Sequence, residues 1–519
     1  MEGDKKYLIL IFCIYITLTL PFLTTFPPVD NIGDESWMMN ISEEILSSGR
    51  PVASMHKGTP ISEKPQIVTA WIYNGTLAGI FYVFGVSLWA GRFLSFLCGL
   101  VVLILTYYFG KILGTQKVGF TAALLLATSP AFLWHSREIR PEMMLLAFTT
   151  ASVYFFYLAW QYNKYIFFFL SGLVSSLSVE VHPNGSLFAL SIFIVYFVLY
   201  RKKILSISTL YLLFGFSIGF VIWIIFNYLP YSTSSFETIH KKYLPPIGRI
   251  DIHYLLIKGI KRIFSLVTPD FLNLWIRTQY FSDINIGFLY FALFLTFCSL
   301  AFGKQQKKIV FLLSMIILPL WLSTFLIGAW NWFHFSLFLV LVSAIFSISI
   351  YDISEKLTAQ KFKTIFSHGI IFIYLTIGTI DIMKKNIEMK NYNFNAFKNE
   401  ISRHVPSEAT VMGSGIYYFA LRERKDVKFM TYLFIMERCP DIEEEINRYN
   451  IDFILVDEIF INLSTMWCSS IYSNKIKEYI DKKTSPFYTI NIKYPNSLTH
   501  NRFLSEVTIR KVIKNRDTP

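Results

Sequence analysis

The sequence predicts a membrane-embedded all-α bundle, with about eleven transmembrane helices, carrying a small extracytoplasmic α/β domain at its C-terminal end. Three observations predict it. Of the 519 residues, 54% are hydrophobic and only 16% are charged, where a soluble globular chain carries roughly a quarter charged residues. Apolar runs recur from residue 7 to residue 383, each near the ~20 residues that a spanning helix needs. From about residue 385 they give way to short apolar segments that alternate with helical stretches. Disorder needs low hydrophobicity and high charge and is excluded. A simple soluble enzyme fits poorly.

The runs fall at 7–26, 88–110, 118–135, 143–160, 165–181, 185–200, 205–228, 285–303, 309–328, 333–350 and 366–383. The first is too long for a signal-peptide core, and no small-residue cleavage site follows it, so it reads as an anchor. The stretch 67–84 is ambiguous between a further span and an interfacial helix. Basic residues decide it. With a cytoplasmic N-terminus, the inside segments hold Lys5 and Lys6, Lys111 and Lys117, Lys164, Arg201 to Lys203, Lys304 to Lys308, and Lys356 to Lys363. The short outside loops near 182–184 and 329–332 hold no Lys or Arg, as the positive-inside rule requires. A span at 67–84 would invert every later loop, so that stretch is predicted to lie on the outer interface. Much of the net charge of +13 (48 basic against 35 acidic residues) is thereby explained. Nucleic acid, the partner that such a charge suggests for a soluble chain, is not expected.

Two domains are predicted. Residues 1–384 form the transmembrane module, with large outside loops at 27–87 and 229–284. Residues 385–519 form the extracytoplasmic α/β domain. In it, Ala409–Gly413, Val427–Thr431, Ile451–Asp457, Phe487–Ile492 and Glu506–Arg510 read as strands. Asp441–Tyr449 and Ser473–Lys482 read as helices, and the alternation argues a small α/β layer. It shows no Gly-rich phosphate loop and no catalytic motif of its own. Cys13, Cys98 and Cys298 lie in apolar runs and behave as small hydrophobes. Cys439 and Cys468 share a polar region, where one disulfide is left open.

The spans hold almost no acidic residues, and Glu180 sits at a span end. A solute carrier concentrates ionisable groups near the midplane; here they gather at one face. The first outside loop carries Asp34 and Glu35 just past the first span. Trp37, Met38, Ile41 and Ile45 then share one face of a helix on the membrane surface, which Gly49 ends. Asp34 fits equally as a helix N-cap or as an acid/base group. Glu63 and Lys64 follow. Lys64 could face a phosphate, although a snorkelling lysine is the better reading of it alone. The second outside loop, His135-Ser-Arg137-Glu138-Ile-Arg140-Pro141-Glu142, breaks the positive-inside trend with two arginines. Arginine forks bind phosphate bidentately; pairing with Glu138 or Glu142 is the equal alternative. His182-Pro183-Asn184-Gly185 reads as a turn. Together these are an acid that can take a proton from a hydroxyl and cations that can stabilise a leaving phosphate.

Their order resembles the polyprenyl-phosphate-dependent membrane glycosyltransferases of the GT-C fold, nearest the branch of the aminoarabinose transferases of lipid A and the protein mannosyltransferases. Gly33-Asp34-Glu35 resembles the family's Asp-Glu motif. Gly58-Thr-Pro-Ile-Ser-Glu63-Lys64-Pro65 resembles its Gly-x-Pro-x-x-Glu-Lys-Pro-Pro stretch. Phe84-Gly85-Val-Ser-Leu-Trp-Ala90-Gly-Arg92-Phe-Leu-Ser resembles its Phe-Gly…Ala-x-Arg-Leu-x-Ser pattern, and Ala122–Glu142 the segment ending the third span. The likeness runs from the first span to about residue 200. Gln66 replaces a common second proline, and Glu142 stands where the family often has Asp.

The resemblance implies a sugar transferred from a polyprenyl-phosphate-linked donor to a lipid, glycan or protein acceptor outside the cytoplasm. A prokaryotic plasma (inner) membrane fits it best. Asp34 is the implied catalytic group, with Glu35 beside it. Lys64 and Arg137 are implied to hold the carrier phosphate, and Arg140, Glu142, Arg92 and His182 join the expected substrate-binding set. Glu63 is implied in an acceptor or metal site. No cofactor is certain; a divalent metal is left open, with Glu63 and His240 as candidate ligands. The rival readings are a lipid-linked sugar flippase or other transporter, and a non-catalytic membrane scaffold. Convergence of Asp34, Lys64 and Arg137 on one cavity would favour the enzyme.

Overall fold

The computed structural model describes residues 2–24, 34–56, 62, 70–201, 206–228, 283–326, 337–390, 394–431, 441–457, 470–491 and 506–513. Helix α1 (Glu2–Thr19) ends in a 3₁₀ turn, Leu20–Phe22. It is followed by α2 (Asp34–Ser48), α3 (Trp71–Phe84) and α4 (Leu88–Leu113). Next come α5 (Gln116–Ala127), α6 (Pro130–His135), α7 (Glu142–Tyr162), α8 (Tyr165–Val181), α9 (Gly185–Tyr200) and α10 (Ile207–Trp223). The bundle closes with α11 (Asp283–Phe302), α12 (Gln306–Leu326), α13 (Leu339–Ser354) and α14 (Gln360–Lys390). Among the described residues, five helices are long and apolar enough to cross a membrane. They are Gly3–Phe22, Leu88–Leu113, Glu142–Tyr162, Ile207–Phe226 and Gln360–Lys384, with shorter apolar helices between them.

Two elements differ from the sequence expectation. The run 118–135 is two helices, because Pro130 has no N–H to give to the preceding turn and takes the first position of α6 instead. Helix α14 extends well past 366–383 at both ends, since the Lys, Glu, Met and Ile of its C-terminal stretch are compatible with a helix. Side chains made small bring some helices into backbone contact. A Cβ on Gly172 of α8 would lie 2.3 Å from the Leu212 carbonyl of α10, and one on Gly215 would lie 2.3 Å from the Phe169 carbonyl. Such close approach is how helices gain packing energy where no water is present to drive association.

Beyond α14, α15 (Phe394–His404) leads into a five-stranded sheet of β1 (Thr410–Gly413), β2 (Lys428–Thr431), β3 (Phe453–Asp457), β4 (Thr484–Asn491) and β5 (Glu506–Val512). The strand order is β2-β1-β3-β5-β4. The first three are parallel; β5 runs antiparallel to β3 and β4. Helices α16 (Ile442–Arg448) and α17 (Ser470–Lys483) fall where the sequence predicts helices. The buried Val411, Met412, Ile454, Leu455, Val507 and Ile509 form its core. Strand β4 starts before the expected Phe487 because an irregularity between Pro486 and Tyr488 lets the pairing with β5 continue through the proline. The candidate disulfide cysteines, Cys439 and Cys468, lie outside the described residues.

The sheet is fixed to the first loop. Thr431 at the end of edge strand β2 donates its N–H to the Met55 carbonyl at 2.9 Å. The segment that follows α2 is thereby joined to the sheet.

Candidate functional site

Helix α2 carries two acids in its first turn, where the helix dipole favours negative charge. Its C-terminus is set by Gly49, whose φ of +70° and N–H bond to the Ile45 carbonyl close the last turn. The apolar stripe expected to face the membrane packs on protein instead. Met38 joins the main core, and Ile41 packs with Ala53. The Ser42 hydroxyl donates to Asn74 Oδ1 at 3.2 Å, crossing α2 over α3.

Adjacent on the chain, Asp34 and Glu35 have different surroundings. Glu35 is buried and takes a fork from Arg92, Nε to Oε1 at 3.0 Å and Nη2 to Oε2 at 2.9 Å. Its Oε1 also accepts the Ile139 N–H at 2.8 Å, and Arg92 Nη1 donates to the Leu23 carbonyl at 2.8 Å. The pair thus ties α2 to α4, to the end of the first helix and to the second loop. A carboxylate with both oxygens engaged and 1% of its surface exposed is poorly placed to take a proton from substrate. Glu35 and Arg92, expected as a catalytic group and a substrate ligand, are paired with each other in a buried clamp.

Asp34 remains reachable, with 26% of its side chain exposed, and its Oδ2 lies 2.9 Å from Arg140 Nη1. Arg140 bridges to Glu142 through Nε at 3.1 Å and Nη2 at 2.7 Å. Of the two pairings open for the loop arginines, Arg140 takes Glu142. Glu138 accepts instead from Trp134 Nε1 at 2.8 Å and lies 2.9 Å from His135 Nδ1. His182 is electrostatically coupled to this group. Burial holds its imidazole below the usual range, with Glu142 pulling up and Arg140 pulling down. Its Nδ1 accepts the Asn184 N–H at 3.1 Å, so the neutral ring carries its proton on Nε2. The His182 corner is a turn, as read, and it also faces the charged cluster.

Arg137 points elsewhere. Its Nη1 donates to Asn386 Oδ1 of α14 at 2.7 Å, its Nη2 donates to the Leu18 carbonyl of α1, and its guanidinium lies 5.5 Å from the Phe22 ring centre. Burial pulls its pKa down to about 9. The two loop arginines thus divide: Arg140 meets Asp34, and Arg137 joins the first and last helices of the bundle. Glu63, Lys64 and His240 lie outside the described residues. Among the described residues, no three His, Cys, Asp or Glu side chains converge as a metal site.

Sequence reasoning missed Tyr73. It is buried on α3, and burial, with the Glu142 and Glu35 carboxylates nearby, raises its phenol well above the usual range. The signal was there: Tyr73, Leu77 and Phe81, four residues apart, form the buried stripe of α3.

The family model for dolichyl-phosphate-mannose-protein mannosyltransferases matches residues 63–226. No curated protein matches the chain by sequence. Solved structures match in fold. ArnT from Cupriavidus metallidurans bound to undecaprenyl phosphate aligns with a TM-score of 0.60 at 10% identity, over 98% of each chain. The Archaeoglobus fulgidus oligosaccharyltransferase in its apo form aligns with a TM-score of 0.59 at 13% identity, over 97% of this chain and 76% of that one. The archaeal oligosaccharyltransferase AglB from the same organism, in complex with an inhibitory peptide and a dolichol-phosphate, gives 0.54 at 12%, over 100% and 75%. The resemblance read from the motifs is borne out in the family model and in the fold. The chain is a multi-pass membrane protein of GT-C-like fold.

Proposed function

We propose that this GT-C-like chain is an integral-membrane glycosyltransferase that moves a sugar from a polyprenyl-phosphate-linked donor to a lipid, glycan or protein acceptor on the extracytoplasmic side. The observation that carries the proposal is Asp34. It is an accessible carboxylate, held by Arg140, in a cluster whose other charged groups are largely buried. The neighbouring structures with undecaprenyl phosphate or dolichol-phosphate support a lipid-phosphate donor. In this reading the N-terminus is cytoplasmic, the α/β domain is extracytoplasmic, and the membrane is the plasma (inner) membrane.

Asp34 accepts the proton of the acceptor hydroxyl as that oxygen bonds to the sugar's anomeric carbon. The bond from that carbon to the phosphate oxygen breaks, and the carrier phosphate leaves with the electron pair. Arg140 orients the carboxylate and supplies positive charge, and Lys64 is the second cation for the phosphate. Arg137 is not assigned to the phosphate, because it is held between Leu18 of α1 and Asn386 of α14, whereas Arg140, though also paired, stands beside the accessible Asp34. Glu35 and Arg92 tie the start of α2 to the bundle.

Asp34→Asn tests the reading. General-base removal predicts a loss of about 10²–10⁴-fold in sugar transfer from the lipid-linked pool of membranes that contain the variant in normal amount. Undiminished transfer by a correctly inserted variant would rule Asp34 out.

A further inference from the structure

The far end of α2 enters the α/β domain. Glu43 lies nine residues after Asp34, about 14 Å along the helix at 1.5 Å per residue. Arg422 donates to its Oε1 through Nη2 at 2.7 Å and Nε at 3.2 Å, and the Tyr418 hydroxyl donates to its Oε2. Midway, buried Asn40 works in both directions. Its amide nitrogen donates to Ser54 Oγ at 3.1 Å and to the Tyr418 hydroxyl at 3.3 Å, while its Oδ1 accepts the Met55 N–H at 3.1 Å. Met55 in turn accepts from Thr431 of β2. One short helix therefore carries the accessible acid at its start, a buried clamp to the bundle at Glu35, and a charged clamp to the α/β domain at Glu43.

A surface ion pair contributes little, but this one is only partly exposed and shares its carboxylate with a buried tyrosine hydroxyl. Arg422 keeps 14% and Glu43 25% of their side-chain surface, and Tyr418 is buried beside them. A helix of fifteen residues transmits a shift of one end to the other, because its backbone bonds make it stiff over that length.

We infer that the α/β domain sets the position of Asp34 through α2, with Glu43, Tyr418 and Arg422 as positioning residues rather than catalytic ones. The inference rests on the glycosyltransferase reading for its functional half. Its structural half, coupling of the domain to the start of α2, does not.

The test uses the full chain in nanodiscs, with the wild type, Arg422→Glu, Glu43→Arg, the double charge swap and Tyr418→Phe. Hydrogen–deuterium exchange over residues 34–43 reads the coupling without any substrate. Each single reversal is expected to raise exchange there about tenfold, as expected for a locally loosened unit, and the swap to bring most of it back, because the ion pair is restored although an arginine at position 43 cannot accept the Tyr418 hydroxyl. Transfer assays on the lipid-linked pool read the consequence. A displaced Asp34 lowers kcat by about tenfold or more, since 1 Å of misplacement can cost up to 10²-fold, while KM for the donor changes less than about threefold. Tyr418→Phe removes one hydroxyl, keeps the packing and shifts both readouts in the same direction. It serves if the reversals do not fold.

Unchanged exchange at 34–43 in Arg422→Glu and Tyr418→Phe would overturn the coupling. A fall in kcat that the charge swap does not restore, with exchange restored, would overturn the positioning role. If Asp34→Asn leaves transfer intact while exchange responds as expected, the assignment of Asp34 fails and the coupling stands.

Discussion

Arg92, Arg137 and Arg140 lie within a stretch of forty-nine residues, and what each guanidinium meets decides its role. Arg92 is completely buried and matched fork to fork with Glu35. Removing one partner of such a pair leaves an uncompensated buried charge, whereas replacing both with apolar groups is often near neutral. Arg92→Met is therefore expected to destabilise the protein by about 3–5 kcal/mol, and the Glu35→Leu, Arg92→Met double variant by much less. Thermal unfolding in detergent measures both; equal losses would contradict the clamp. Arg137 and Arg140 make a second contrast. With Arg137 held by Leu18, Asn386 and Phe22, Arg137→Gln should lower the unfolding temperature; on the proposed function, it should leave binding of a polyprenyl-phosphate probe by the folded fraction within about threefold, the scale of a side chain outside the contact. Arg140→Gln should weaken that binding about tenfold or more, the loss of a charge-assisted bond of ~1.5–3 kcal/mol. The opposite ranking would return Arg137 to the phosphate.

At the scale of elements, the sequence was easiest to read where apolar length or a single backbone-limited residue decides the structure. Runs 165–181 and 185–200 are the helices α8 and α9, Gly49 ends α2, and all five strand segments of the tail pair in one sheet. The break at Pro130 is equally legible in principle, but the apolar run over 118–135 continues through it. The partners of the loop charges were not legible. Two arginines and two glutamates within six residues (Arg137 to Glu142) allow several pairings, and residues more than a hundred positions away choose among them: α14 supplies Asn386 to Arg137, and α2 supplies Asp34 to Arg140. Helix packing follows the same rule. Gly172 in α8 and the Gly215/Gly219 pair in α10 permit close contact, but only the fold shows that Gly172 and Gly215 each face the other helix's backbone. Adding a side chain at either place pushes atoms to 2.3 Å, inside any contact that a rigid helix can absorb. Gly172→Leu and Gly215→Leu are each expected to reduce the yield of folded protein and lower its unfolding temperature. Gly79→Leu on α3, where an added Cβ meets nothing within 4 Å, is expected to do neither. Matching stability of the three variants would show that α8 and α10 do not pack through these residues.

At the scale of the whole molecule, the junction between the first loop and the sheet joins the membrane bundle to the α/β domain, and it contains a buried histidine. His56 Nδ1 lies 2.5 Å from Thr431 Oγ1, and its ring stands edge-on to Trp37 at 5.7 Å. Burial lowers its pKa to about 3, against ~6.5 for a free imidazole. The docked state therefore holds the ring neutral, and the undocked or unfolded state binds a proton more readily. The contribution is fully present above about pH 6.5 and is lost as pH falls from there toward 3, at up to ~1.4 kcal/mol per pH unit. Over one or two units that is comparable to the net worth of several hydrogen bonds of ~1 kcal/mol each, such as the Thr431–Met55 bond beside it. Acidification from pH 7 to pH 5 should thus loosen the domain from α2 while the apolar bundle stays folded. Hydrogen exchange at Thr431 and over residues 52–56 should rise in the wild type across that interval. His56→Gln has no proton to gain there, so its junction should be weaker at pH 7 but show a flatter dependence. Equal pH dependence in the two proteins would mean that another group governs the acid response of the junction.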